Sequence, residues 1–550
     1  MLVWKDFEFL YKHRRVHFRQ ENMRKVNKKV SLLRKHKTES RCLSVLKKQA
    51  LEFCRETGLH GYKYIGQSKR SKIERIIWAV AVFTSLCSAI VLMKLAWDYY
   101  SAHPSLTVIE STHRGIWNYP FPAVTVCNVN RISRGLSQQL IDKLNLPSNI
   151  SKEFLLEEIK LLNVLLHPTL FGDDIDSNFT RLQDIFDFNN LSIIEVIDLV
   201  TRNCSNLIKA CRWKGESVDC NNLFVKSFSR NGLCCSFNYI SAEKEKLHGA
   251  RLNPLRVSAC GHQTGLTMLI NVKPKDYHAS ILGSVGVKVM LHEPFDYPDF
   301  NARSKLIDIN IQAFLTIKPE ETYSTSYIRD QSISTRNCIF SDEGDELNSG
   351  NRMKQNFTSA RYSYLNCMTQ CRATAIRAAC GCIPYFIPQN VTRPCNLRDV
   401  GCMKENYYWL DSSWPGMPMF RIKEVRHLKR PCGCIPDCTF YRYNVESSQG
   451  YFDTNVHSVN LTYTRGVHDG EGRSLMNHSV IHVFFGDLVS IQYRRNVHYS
   501  WRNLFATFGG LLGLFSGFSL MSVFELIYFF IIRVITDALA RKGVVGNAKA

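Results

Sequence analysis

A chain of 550 residues with 70 Lys and Arg against 48 Asp and Glu carries a formal charge of +22, and 20 of its residues are cysteine. The charge is concentrated at the start, where residues 1–75 hold 21 basic and 7 acidic side chains. No nucleophile–base motif, Gly-rich phosphate loop or cluster of metal ligands is visible, which argues against an enzyme and against a resident metal.

Residues 1–72 read as a basic tail with weak apolar periodicity and no signal-peptide core. "GLHGYKYIG", Gly58 to Gly66, interrupts that pattern. The uncharged run Ile76 to Met93 follows, and 73–97 is long enough to cross a bilayer, which takes about 20 residues. A second apolar run, Leu504 to Ile532, has Glu525 as its only charge and places a second span at 501–532. Residues 533–550 are basic again. Basic flanks belong in the cytoplasm, so both termini face inward, 98–500 lies outside, and 533–550 forms a short inner tail. With two spans present, the basic ends imply contact with anionic lipid, and no nucleic acid partner.

Two patterns agree with this topology. Asn-X-Ser/Thr sequons begin at Asn149, Asn178, Asn190, Asn203, Asn356, Asn390, Asn460 and Asn477, all in the outer region. Seventeen of the 20 cysteines lie there too, where disulfides persist. The outer region mixes strand-like pieces ("PFPAVTVCNVN", "VGVKVMLHE", "HVFFGDLVSIQY") with helical ones ("KEFLLEEIKLLNVLL", "ARYSYLNCMTQCRATAIRAAC"), which predicts an α+β ectodomain.

Ten cysteines from Cys338 to Cys438 form a ladder. Cys367 and Cys371 share one face of a predicted helix. Cys432 and Cys434 would share one face of a strand. An antiparallel match pairs Cys371 with Cys432 and Cys367 with Cys434, with Cys338–Cys438 outside them. Cys380, Cys382, Cys395 and Cys402 then make a nested loop. Zinc is the rival reading of the C-x-C pairs; the compartment and the lack of interleaved histidines speak against it. A rod stapled in this way could carry motion toward the membrane.

Taken in order, "LHGYKYI", "FPAVTVCN", the ladder and "GFSLMSVFE" resemble the degenerin/epithelial sodium channel family, which includes the acid-sensing channels, and are most similar to its insect pickpocket branch. The resemblance covers nearly the whole chain. It implies a homo- or heterotrimer of related subunits at the plasma membrane, with a hand-shaped ectodomain of palm, finger, thumb, knuckle and β-ball. It implies a voltage-independent, Na+-preferring pore lined by the second span, gated by an extracellular or mechanical stimulus and commonly blocked by amiloride. No cofactor is implied beyond the permeant ion. It also implies Cys380–Cys402 and Cys382–Cys395 in the thumb, with Cys211–Cys220 and Cys127–Cys234 upstream. His60 and Gly61 fall on its gating motif, and Gly517, Phe518 and Ser519 on its Gly-X-Ser filter. Ala506 falls on the position where bulk holds the pore open, and Gly513 on one linked to amiloride.

The residues themselves suit a pore. A glycine permits an unwound turn, and irregular backbone is tolerated at membrane depth where it lines a cavity. Gly509, Gly513 and Gly517 recur every four residues and also fit a small-residue packing face; Gly510 and Ser522 join Ala506, Thr507, Gly509, Gly513 and Glu525 as candidate pore and gate residues. Glu525 is costly against lipid and suits an inner mouth; Arg533 is too far along a straight helix to pair with it well. Three departures from the family stand out. Thr507 replaces an outer-pore Asp. Thr335 replaces a Trp found in acid-sensing relatives. Cys204, Cys235 and Cys260 lack assigned partners, and one of them must stay odd. Asp342, Glu343, Asp345 and Glu346 could form a titrating cluster. The alternatives are a non-conducting accessory or receptor subunit and an ATP-gated trimeric channel, although the latter would lack the filter and the thumb ladder.

Overall fold

A computed structural model describes residues 48–148, 150–169, 176–280, 282–343, 360–388, 392–417, 431–452, 477–498 and 500–536. The chain forms two compact units, one of residues 1–104 with 497–550 and the other of residues 105–496.

The second unit is built on two large sheets. The 14-residue strand Ile311–Ser324 organises the first. It pairs antiparallel with Phe440–Tyr451 along twelve positions. Its first half pairs parallel with His478–Phe485 and its last five residues with Val489–Val497. The stretch read as one strand, "HVFFGDLVSIQY", is therefore two strands broken at Gly486. A Cβ there would lie 2.6 Å from Thr316 Cγ2, and the Gly486 N–H donates to the Ile317 carbonyl at 3.1 Å. Leu266–Asn271, Ile208–Trp213 and Glu216–Val218 extend one side, and Ser105–Gly115 the other. The second sheet runs Arg303–Ile307, Val287–His292, Ala123–Asn128, Gly232–Phe237 and Phe224–Ser229. Ala123–Asn128 is buried at every position, as expected of a central strand. Phe121, Phe237 and Phe485 fill the core beside it, each fully buried.

A helical layer completes this unit. Ser133, Ser151 and Ser192 cap three of its helices through their hydroxyls, as short polar N-caps do. The segment expected to be one helix is helical over Lys152–Glu158 and tightens to a 3₁₀ run over Ile159–Leu165. Tyr364–Cys380 is a continuous helix, closed by Gly381 in the left-handed conformation, a common C-terminal stop. Its Arg372 reaches Asp299 at 2.6 Å with both side chains buried.

Eight disulfides staple the unit. Cys338–Cys438, Cys367–Cys434, Cys371–Cys432, Cys380–Cys402 and Cys382–Cys395 form the ladder, and no thiolate pair is left among them for zinc. Cys211–Cys220 and Cys127–Cys234 lie upstream. Cys204 bonds Cys235, a pair the spacing left open, and Cys260 is the free cysteine of this unit among the described residues. One expectation is corrected. Cys432 and Cys434 are not in a strand: they belong to a tight turn at Pro431–Gly433, with Cys432 at φ +54°. The turn still places the rungs, with Cα separations of 5.9 and 6.1 Å, because a left-handed residue reverses the chain within one step.

Sequons at Asn149, Asn356, Asn390 and Asn460 lie outside the described residues, as do Asp345 and Glu346. Asn190 and Asn203 are exposed, and Asn178 and Asn477 are partly buried. Asp342 and Glu343 are each held by an arginine. Arg329 bonds Asp342 at 2.7 Å and keeps it below the usual carboxylate range. Burial pushes Glu343 up, but its Arg336 hydrogen bond prevails and holds it low. Thr335 is exposed, with its hydroxyl bonded to Ser332.

Candidate pore and gating site

In the other unit, the helix Lys72–Ala102 is long and apolar enough to cross a membrane. Ser71 caps its start by accepting from the Glu74 N–H. Ala89 is its one buried residue, while Ile76, Ile77, Val80 and Phe83 stand exposed. A helix apolar on every side and exposed along its length belongs in lipid.

The second apolar run does not form one continuous helix. Trp501–Ser516 and Leu520–Thr536 are separate, bent by 70° at the break. The residues between them are Gly517, Phe518 and Ser519. Gly517 has φ +67° and ends the first helix; its N–H and that of Phe518 return to the Gly513 and Leu512 carbonyls at 2.9 and 3.3 Å. A non-glycine residue is strained in this conformation. Ser519 then caps the second helix together with Ser522, whose hydroxyl accepts the Ser519 N–H at 3.2 Å. The N–H groups of Phe518 and Ser519 have thus left the helical i to i−4 ladder.

The His-Gly segment fills the bend. Residues 48–56 are helical, and the chain then turns so that the His60 N–H donates to the Ser516 carbonyl at 3.0 Å. A Cβ on Gly517 would sit 2.7 Å from His60 Cδ2 and 2.8 Å from Nε2. Glycine at 517 thus serves two needs, the left-handed turn and the close approach of the imidazole. Gly61 repeats the logic on the other side. It has φ +83°, and a Cβ there would lie 2.6 Å from Val82 of the first span.

Glu525 is engaged by the same segment. Its carboxylate accepts the Thr57 hydroxyl at 2.7 Å and the Gly58 N–H at 3.3 Å. Arg533 pairs with Glu52 at 3.2 Å. Phe53 packs on Phe529 and Phe530, with ring centroids 5.8 and 5.4 Å away. Arg55 and Arg75 donate to the Gly66 and Ile65 carbonyls and close the segment. Thr57, Glu52 and Ser85, whose hydroxyl donates to the Phe515 carbonyl, were missed by sequence reasoning. One signal pointed to Thr57: a lone carboxylate at membrane depth needs a donor, and the irregular stretch before the first span was the nearest supply.

Ala506, Thr507, Gly509 and Gly510 are exposed. A Cβ on Gly509 or Gly510 would meet nothing within 4 Å, and one on Gly513 would meet only the Phe518 carbonyl at 3.8 Å. The glycine face is therefore not used against the first span of its own chain.

A family profile for amiloride-sensitive sodium channels matches residues 53–529, from the helix before the His-Gly turn to within the last residues of the second apolar run. The chain belongs to that family. It is an ion channel protein of the membrane and not an enzyme. It is similar to the sodium channel protein Nach of Drosophila melanogaster, 26% identical over 87% of this chain and 86% of that one. It is similar to pickpocket protein 28 of the same organism, at 22% over 89% and 79%. The human bile acid-sensitive ion channel matches at 26% over 86% and 84%.

Proposed function

We propose that this chain is a pore-forming subunit of a trimeric, voltage-independent, sodium-selective channel of the plasma membrane, crossing the bilayer twice with both termini cytoplasmic. The observation that carries the reading is the helix break at Gly517–Phe518–Ser519 with the His-Gly turn seated against it. A continuous helix offers a passing ion nothing, because its carbonyls are already bonded. A break at membrane depth supplies oxygens that can replace part of the ion's water shell. Three copies of Gly517–Ser519 would form a narrow oxygen ring. The open glycine face of Gly509, Gly510 and Gly513 suits close approach of three helices around it.

His60 and Gly61 are then the gating element, since any change in the bend angle must move the imidazole packed on Gly517. Glu525, held by Thr57 and Gly58, ties that element to the inner half of the second span. Thr507 at the outer mouth supplies a hydroxyl where relatives carry a charge, which predicts weaker attraction of divalent cations. Amiloride is the proposed blocker, with Gly513 beside its site, and the stimulus is extracellular or mechanical.

Expression in oocytes tests the reading. Ala506→Trp should give constitutive, amiloride-sensitive current that reverses near the sodium potential. Normal surface expression without current, alone and with a co-expressed pickpocket-type subunit, would instead favour a non-conducting accessory role.

A further inference from the structure

Behind the second sheet, where it meets the helical layer, a narrow cavity of about 30 Å³ is lined by Asn128, Arg131, Asn163, Arg202 and Tyr385 among apolar walls. Asn128 is 8% exposed, and its Oδ1 accepts the Asn130 N–H at 3.1 Å and the Tyr277 hydroxyl at 3.4 Å. That fixes which end of the amide is which, and the opposite atom, Nδ2, is buried with no partner. The strand Asn130–Ser133 bulges where it pairs with Tyr277–Ser280, leaving Arg131 out of register between Asn130 and Ile132. Arg131 Nε is likewise buried with no partner, and Nη2 has only a 3.4 Å bond to the neutral Asn231 Oδ1.

The surroundings are cationic. Lys288 shares the same Asn231 oxygen at 3.4 Å. Arg202 uses its donors on the Asn271, Val272 and Asn206 carbonyls, and Arg230 is paired with Asp411. Among the described residues no carboxylate pairs with Arg131 or Lys288. Burial lowers Arg131 to about 10, against a weak opposing pull from two tyrosines. His167 is held down to about 4 by burial, with Arg230 and Arg131 adding to it. A guanidinium stays charged in proteins, and an uncompensated buried charge is expensive.

We infer that this cavity is a binding site for one small monovalent anion, of which chloride is the abundant representative, held by Asn128 Nδ2 and Arg131 Nε. A water molecule needs roughly 10–15 Å³ of such space, so the cavity of about 30 Å³ has room for one small anion or for two to three waters. An anion supplies the missing counter-charge and uses both orphaned donors; water would satisfy the donors and leave the charge.

The purified full-length channel tests this by thermal unfolding at a fixed heating rate, in sodium chloride and in sodium gluconate at equal ionic strength. Chloride should raise the apparent midpoint of the wild type by about 2 °C. Asn128→Asp keeps the acceptor used by Asn130 and Tyr277 and puts a permanent negative charge where Nδ2 stood. It should retain its midpoint in gluconate and lose the chloride response. Arg131→Gln should lose the response as well; if it fails to fold, Asn128→Asp still decides. A structure determined in sodium bromide should show an anomalous peak in the cavity. Equal wild-type midpoints in the two salts, an undiminished chloride response in Asn128→Asp, or water in place of bromide would each overturn the assignment.

Discussion

Gly517→Ala isolates the contact on which the pore reading turns. The substitution adds one carbon, with two separable consequences. A left-handed alanine costs roughly 1–2 kcal/mol over its usual conformations. The new Cβ would also stand 2.7 Å from the His60 ring, closer than carbon atoms pack, so the imidazole or the bend must move. The first term acts on the backbone alone, and the second exists only while His60 is there. Together they set at least about 1–2 kcal/mol against the observed bend, a factor of about 5–30 in the population of that conformation. Whole-oocyte current divided by surface-biotinylated channel should fall at least fivefold in Gly517→Ala, with the reversal potential shifted toward lower sodium preference. His60→Ala by itself should lower open probability. In the double variant the steric term vanishes and only the backbone term remains, so the two losses should fall short of adding, with a coupling of roughly 0.5–3 kcal/mol. Unchanged current and reversal in Gly517→Ala, or strict additivity in the double variant, would refute the argument that the imidazole and the bend act as one element.

Glu525→Gln keeps the shape of the acceptor but removes its charge from the Thr57 and Gly58 bonds. A bond to a charged group contributes about 1.5–3 kcal/mol, so the His-Gly segment should loosen and Cys54, on the adjoining helix, should react severalfold faster with a maleimide. Rates equal to wild type would show that the carboxylate does not hold the segment. Alkylation of the unreduced protein should modify Cys260 of the 105–496 unit and spare Cys204 and Cys235, as peptide mass mapping reads directly. Asp437 is pushed up to about 7 by burial, with its bond from the Tyr364 N–H opposing and the charge of Asp296 adding. A carboxyl raised in the folded state stabilises at acid pH, and that contribution is lost as pH rises through about 7. That loss runs from the ordinary value of 3.8 up to about 7, so Asp437→Asn should unfold a few degrees above wild type at pH 8, with the gap narrowing below pH 7 and closing only near pH 4; a gap independent of pH would contradict the assignment.

Several features were legible in the sequence because they are local. Eighteen uncharged residues from Ile76 declare a span whatever surrounds them. The i, i+4 spacing of Cys367 and Cys371 puts two sulfurs on one helix face, and the returning cysteines meet them. That match survived an error about the return path, which is a left-handed turn at Cys432 and not a strand, because two anchored rungs constrain the partner sulfurs more than the backbone between them. The break in "HVFFGDLVSIQY" was hidden for the opposite reason. Gly486 is required by Thr316, 170 residues earlier, and no period within the segment records that.

The candidate site divides along the same line. Its glycines and its single carboxylate stand out in an apolar run, so the sequence by itself determined that the second apolar run is irregular, that the family is a sodium channel family, and which residues carry the irregularity. Only the tertiary structure decided what they touch. The Thr57 hydroxyl meets Glu525 across 468 residues, and the His60 ring occupies the space that a side chain at 517 would need. The physical reason is that hydrophobic period and backbone preference act over a few residues, whereas a half-buried carboxylate and a left-handed glycine are completed by whatever the fold brings against them.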